Sequence, residues 1–351
     1  MSDQIQIVGK KIGEGCPVFI IAEIGVNHNG SVELAKEMIR EAARCGADCV
    51  KFQTFKADRV ASDSAPKASY QLKTTDPQES QIAMLEQLEL GFNEYRDLVK
   101  CCQEEGVVFM STPYNVEDLE FLEELGVPAY KLASMHAVEP WFAALTAMAK
   151  KPVILSTGMA NMMELDETVR AMRETGNKDL ILLQCTTNYP SRMEDTNLLA
   201  MQTIARAFDV IVGYSDHTAG DLACILSIGL GAKVIEKHFT TDKNLMGPDQ
   251  STSADKKEFA ALVRQVRQAE VVMGSNIKEP CAVELENSIG MRRSIWTRVD
   301  IVKGQTITSD MITYKRPATG ISPRLTQSVL GKRCLCDVAS NIELLWDHLA
   351  D

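Results

Sequence analysis

Short β-branched apolar runs recur along this chain, each closing on a polar tip and followed by a stretch with helical spacing. The runs are VFIIAEIG (18–25), CVKFQT (49–54), VVFMSTP (107–113), AYKLAS (129–134), PVILSTG (152–158), LILLQCT (180–186), VIVGYSDH (210–217) and KVIEKHFT (233–240). Runs this short and this apolar predict strands buried on both faces, as in a parallel sheet. Between them, VELAKEMIREAARCGA and VEDLEFLEELGV place apolar residues at i, i+3, i+4 and i+7, the stripe of a helix packed on one side. Ser31, Asn115 and Asn161 stand where helix N-caps belong. Eight such βα units over about 250 residues predict a TIM (β/α)8 barrel. A doubly wound open sheet is the alternative, but it requires amphipathic edge strands, and none of the eight runs has that pattern.

The alternation is interrupted once, by residues 55–90, which are polar, contain APKASYQLKTTDPQESQ and follow a strand tip. An insertion there is either a substrate loop or lid, or a plain surface excursion. Helical spacing fades after Met273, so residues 1–274 form the barrel domain, 275–290 a linker and 291–351 a small β-rich domain with Lys-Gly and Thr-Gly turns. A domain that small has a marginal core and is expected to lean on the barrel or on another subunit.

Composition narrows the setting. The formal net charge of −11 argues against a nucleic-acid surface, yet leaves room for a locally cationic pocket. No apolar run is long enough to cross a bilayer, and the polar start MSDQIQIVGKKIGEG lacks a signal-peptide core. The ten cysteines fall largely in apolar or helical runs without paired CxxC spacing. They read as reduced thiols in a cytoplasmic protein.

Barrel enzymes place their chemistry at the C-terminal strand ends. Those ends carry Glu23, Lys51 with Gln53, Thr112, Lys131, Ser134, Ser156, Thr187, Ser215 with His217, and Glu236 with His238. The two histidines close consecutive strands and face one edge of the sheet. They read either as ligands of a shared divalent metal or as hydrogen-bonded residues at strand ends. Residues two apart share a face, which pairs Lys51 with Gln53, Ser215 with His217 and Glu236 with His238. A lysine inside a barrel is costly unless it meets an anion, so Lys51 and Lys131 with nearby hydroxyls suggest a phosphate and a carboxylate. From the residues alone, an aldolase and a phosphoenolpyruvate-condensing enzyme remain equally open.

The segments IAEIGVNHNG, VKFQTFKAD, FMSTPY, YKLAS, ILSTGM, QCTTNYPS, GYSDHTAG and IEKHFTTDKNLMGPD resemble the sialic acid synthase family, and IVKGQTITSDMITYKRPATGIS is similar to its antifreeze-like SAF (β-clip) domain. The resemblance implies metal-dependent (Mn2+ or Mg2+) condensation of phosphoenolpyruvate with an N-acetylated aldose. N-acetylmannosamine is the first expectation and the diacetylated 6-deoxy sugar leading to legionaminate the alternative. It also implies that His217 and His238 hold the metal and that Lys51, Thr112, Lys131, Ser134, Ser156 and Ser215 hold phosphoenolpyruvate. Glu23, Gln53, Tyr189 and Asp249 would line the metal or sugar region, with Glu23, Lys51 and both histidines as the catalytic set. Arg316 would reach into a neighbouring subunit of a domain-swapped homodimer to hold the N-acyl group. Rival readings are a Schiff-base aldolase using Lys51 or Lys131 and a sugar-binding protein without turnover. The chain departs from the family pattern at His136, often glutamate, at Thr187, asparagine in some relatives, and at the closing segment DVASNIELLWDHL, which lacks a customary glycine.

Overall fold

The computed structural model describes residues 4–68, 71–76 and 78–350. Residues 1–3 of the polar start and residues 69, 70 and 77 of the inserted segment lie outside the described residues. The chain divides into two compact units, Met1–Gly274 and Ser275–Asp351.

The first unit opens with a hairpin of β1 (Gln4–Ile7) and β2 (Lys10–Gly13), an element too short to read from periodicity. Eight parallel strands follow: β3 (Phe19–Gly25), β4 (Cys49–Thr54), β5 (Val108–Pro113), β6 (Tyr130–Leu132), β7 (Val153–Ser156), β8 (Leu180–Cys185), β9 (Ile211–Asp216) and β10 (Val234–His238). Their order is β5-β4-β3-β10-β9-β8-β7-β6, and the edges of β5 and β6 lie side by side without a hydrogen-bonded ladder. The ring is a TIM-type barrel rather than a doubly wound open sheet, closed on one seam by packing alone.

One main helix follows each strand: α1 (Val32–Arg44), α2 (Phe92–Glu105), α3 (Val116–Leu125), α4 (Pro140–Ala147), α5 (Met162–Glu174), α6 (Ala200–Phe208), α7 (Leu222–Gly229) and α8 (Lys256–Met273). Ser31, Asn115 and Asn161 occupy the N-cap positions of α1, α3 and α5. The Asn161 Oδ1 accepts from the amides of Met163 and Glu164, while Glu164 takes up the Asn161 amide, a reciprocal cap. The insertion holds three short helical turns, Ala57–Val60, Gln71–Thr74 and Gln81–Glu86. Phe55 and Leu88 at its ends pack with Val26 and Tyr114, so it is tied to the strand tips. All ten cysteines are free thiols.

Two cores divide the work. The larger lies between the strands and the helices. The smaller fills the N-terminal half of the barrel with Phe19, Ile21, Cys49, Met110, Ile154, Ile181, Leu183 and Val234, closed from below by Ile5, Ile7 and Ile12 of the hairpin. A barrel stoppered with aliphatic side chains at one end leaves polar groups and substrate only the other.

The second unit contains α9 (Ala282–Met291), with no residue buried, and a two-stranded antiparallel pair, β11 (Ser294–Thr297) with β12 (Ile312–Lys315). Isolated bridges and 3-10 turns make up much of the remainder, around a core that includes Ile295, Ile301, Ile307, Val329 and Leu344. The stretch read as a linker thus carries a helix. In the closing segment, which lacks a glycine, Asn341 takes φ +61°, a conformation asparagine tolerates better than most residues.

The hairpin turn generates a two-sided test. Val8 is exposed at φ +45°, strained for a β-branched side chain, so Val8→Asn should stabilise the first unit by about 1 kcal/mol. Ile12→Ala, which opens the barrel stopper, should destabilise it by about 2–4 kcal/mol. Urea unfolding followed by circular dichroism measures both; equal effects would contradict the stoppering role.

Candidate active site

Alternation along β4, β9 and β10 turns Lys51, Ser215 and Glu236 inward at the C-terminal end of the ring. Glu236 occupies its centre. One carboxylate oxygen accepts from the Ser215 hydroxyl at 2.9 Å and lies 3.6 Å from Lys131 Nζ; the other lies 3.9 Å from Lys51 Nζ. Lys51 also pairs with Glu23 at 2.7 Å and reaches the Thr112 hydroxyl at 3.4 Å. Lys131 donates to the Ser156 hydroxyl at 2.7 Å and to the Leu132 carbonyl at 3.0 Å. All of these side chains are buried.

Burial sets the protonation of this group, and the charges correct it. Burial pushes Glu23 up to about 7, with Lys51 opposing and the Glu236 charge reinforcing. Burial acts on Glu236 in the same sense, but Lys131, Lys51 and the Ser215 hydroxyl outweigh it and hold its pKa below the ordinary value. Lys51 is disfavoured by burial yet kept above its usual value by Glu23 and Glu236. Lys131 is lowered by burial, more than Glu236 restores. With its pKa near 7, Glu23 is only partly ionised near neutral pH, so the two lysines face little more than the Glu236 carboxylate, a balance that favours an added anion.

Beside the lysines, the backbone N–H of Gly158 donates to the Ser134 hydroxyl at 3.1 Å. A Cβ on Gly158 would lie 2.3 Å from the Thr187 hydroxyl and 2.8 Å from that of Ser134, so only glycine lets these donors converge. A second glycine works similarly at β3. The β3–β4 register shifts between Glu23 and Gly25, and Gly25 takes φ +56°, which allows the Gln53 side chain to donate to Glu23 at 3.2 Å. Tyr114, which the sequence reading did not single out, donates to the Gln53 side chain at 3.1 Å. Its place in FMSTPY, two residues past Thr112, was the available signal.

His217 and His238 come together, with ring centroids 5.4 Å apart and the Tyr189 ring 4.1 Å from the first and 5.6 Å from the second. His217 Nδ1 lies 2.7 Å from the Thr186 carbonyl. A carbonyl only accepts, so Nδ1 carries the proton, and in the neutral ring Nε2 keeps its lone pair. Burial opposes charging of His217, but the Cys185 sulfur and the Thr186 carbonyl outweigh it and raise its pKa. His238 is held well below its usual value by burial and by the neighbouring cations. Its Nδ1 is buried without a hydrogen-bond partner and faces Asp249 at 3.9 Å. Burial pushes Asp249 up to about 6. Among the described residues no three His, Cys, Asp or Glu side chains converge as a complete metal shell. An orphaned imidazole nitrogen beside a second imidazole suits a divalent cation completed by water and substrate oxygens.

A cavity of about 620 Å³ opens from His238. Gln53, Thr187, Tyr189 and Asp249 line it together with Tyr114 and Asn188; the apolar side is Val26, Phe55, Leu85, Leu88 and Met135, and Gln71 and Gln81 come from the insertion. Arg316 is exposed at the end of β12 in the second unit. His136 is fully buried, accepts the Ala133 amide on Nδ1 at 3.1 Å and packs against Phe142. Burial and the Lys131 charge push it down to about 4. It is a neutral turn-forming residue and brings no acid to the site.

Comparison with known proteins identifies the family. The NeuB family model matches residues 38–278 and the SAF domain model residues 292–350. The chain belongs to the NeuB family. It is 42% identical to an N,N'-diacetyllegionaminic acid synthase of Legionella pneumophila, over 97% of each chain. It is 43% identical to the enzyme of that name from Campylobacter jejuni, over 89% of this chain and 94% of that one. Among solved structures, an N-acetylneuraminic acid synthetase of Leptospira borgpetersenii in complex with citrate superimposes with a TM-score of 0.73 at 34% identity, covering 82% of this chain and 95% of that one.

The central carboxylate gives the site's test. Glu236→Gln removes the counter-charge of two buried lysines, so the protein should lose about 3 kcal/mol of stability while binding inorganic phosphate several-fold more tightly. Thermal melts with and without phosphate, and calorimetric titration, read both effects. Unchanged phosphate affinity would contradict the anion-cradle assignment.

Proposed function

We propose that this NeuB-family enzyme condenses phosphoenolpyruvate with an N-acylated aldose, giving a nine-carbon 2-keto acid and inorganic phosphate. The observation that carries the reading is one barrel mouth holding a cradle built on Lys51 and Lys131 beside the His217–His238 pair. Lys51, Lys131 and the hydroxyls of Thr112, Ser134, Ser156 and Ser215 hold the phosphate and carboxylate of phosphoenolpyruvate, aiming its C3 at the sugar aldehyde. A Mn2+ or Mg2+ ion bound by His217 and His238 would supply Lewis-acid polarisation of that aldehyde.

C3 attacks the aldehyde carbon and the developing alkoxide takes a proton. Water adds to the electron-poor C2, and the adduct collapses to the ketone as phosphate leaves by C–O cleavage. With its pKa near 7, Glu23 is suited both to take the proton of the adding water and to return one. The fixed lysines stabilise the charge shifting on the phosphate throughout.

For the acceptor, we favour the diacetylated 6-deoxy hexose that yields N,N'-diacetyllegionaminate over N-acetylmannosamine, the first expectation from sequence. The wall of Val26, Phe55, Leu85, Leu88 and Met135 suits a methyl group better than a hydroxymethyl, and the two relatives above carry the legionaminic acid name. A second copy of the chain supplies Arg316 to the N-acyl group in this reading, which makes the active enzyme a homodimer.

Phosphate release from phosphoenolpyruvate should therefore proceed about tenfold or more faster with the diacetylated 6-deoxy sugar than with N-acetylmannosamine. It should stop on chelation and return with Mn2+. Release with neither sugar would end the proposal, and a mass increase after borohydride treatment with pyruvate would favour the Schiff-base route instead. Arg316→Ala should raise the sugar KM about tenfold or more while leaving the phosphoenolpyruvate KM within about twofold; equal increases would remove Arg316 from sugar binding.

A further inference from the structure

The residue before each paired histidine is charged. Asp216 precedes His217 on β9 and Lys237 precedes His238 on β10, and the parallel register sets Asp216 and Lys237 directly opposite each other. Alternation turns them away from the barrel interior, toward the helices. Both are buried there, Asp216 at 1% and Lys237 at 6% exposure. Lys237 Nζ donates to Asp216 Oδ2 at 2.5 Å and to the Thr218 carbonyl at 2.9 Å. Asp216 Oδ1 accepts from the Thr218 amide at 2.8 Å and from the Tyr214 hydroxyl at 3.2 Å. The Cys224 thiol of α7 donates to Oδ2 at 3.2 Å. The residue preceding His238 thus grips the residues on both sides of His217.

Burying two charges costs desolvation that their attraction seldom exceeds, and apolar residues of similar size usually fill such a space at lower cost. The pair's distinctive contribution is geometry. It fixes the turn 216–218 against β10, and with it the spacing of the two imidazoles. We propose that Asp216 and Lys237 form a positioning clasp that sets the His217–His238 separation and thereby the affinity of the site for a divalent cation. The proposal rests on the reading that these histidines hold that cation. Neither clasp residue touches cation or substrate; both act through the backbone.

The test is Mn2+ titration of metal-stripped protein, reading free Mn2+ by electron paramagnetic resonance, with melting temperature and inorganic-phosphate affinity measured alongside. Lys237→Met leaves the Asp216 charge buried and uncompensated. The double variant Asp216→Asn/Lys237→Met removes the ion pair and keeps an acceptor for Thr218 and Tyr214. The double variant should melt within about 5 °C of the parent and bind phosphate within about twofold, yet bind Mn2+ about 10–100-fold more weakly, the range for residues that orient metal ligands. Parental Mn2+ affinity in the double variant overturns the proposal. So does a double variant that melts as low as Lys237→Met, which would make the pair a stability element. His217→Ala and His238→Ala separate the two levels. If they lose Mn2+ and the clasp variants keep it, the clasp alone fails. If they bind like the parent, the cation reading fails and takes the clasp with it.

Discussion

Glu236 lies between Lys51 and Lys131 and favours the charged form of both, with Glu23 adding the closer pairing to Lys51. Two ammonium groups in the same dry space repel each other and lose hydration, and the central carboxylate offsets part of both costs. Its own ionisation is secured in return by the lysines and by the Ser215 hydroxyl. With Glu23 raised toward neutrality, the two lysines are only partly balanced by carboxylate, and an anion entering the cradle would complete the set. In the proposed reaction such a cluster would be preorganised for an anionic substrate at the expense of local stability, the arrangement expected where electrostatics carries catalysis.

That cluster needs a dry floor below it and an open space above. The floor is apolar: the strand side chains of the smaller core and then the hairpin isoleucines. The opening is walled partly by the insertion, whose Gln71, Gln81, Leu85 and Leu88 face the cavity. The imidazole pair lies where the strand tips β9 and β10 meet this cavity, so an acceptor sugar and an anion in the cradle would be brought together from opposite sides.

Two of the departures expected from the resemblance have a local physical setting. His136 accepts the Ala133 amide at its turn, and burial with the Lys131 charge keeps it neutral. In the closing segment Asn341 takes a positive φ without a glycine.

The eight strands, their tips, three helix caps and the end of the barrel at Met273 were all legible in the sequence. Each depends on a short-range period or a local hydrogen bond that one stretch of chain sets by itself. The catalytic candidates were legible for a related reason: a charged or imidazole side chain closing an apolar strand has few structural uses. The hairpin was not, since four-residue strands are stabilised by the barrel end they close rather than by their own pattern, and neither was α9, hidden in what read as a linker. Beyond the neighbouring His217 and His238, which tips meet was decided by tertiary structure. Glu236 became the hub of two lysines, Tyr114 joined Gln53, and Asp216 met Lys237 because the parallel register and the closing of the ring bring together residues from distant stretches of chain. Those contacts are fixed by sheet geometry, which no window of the sequence contains.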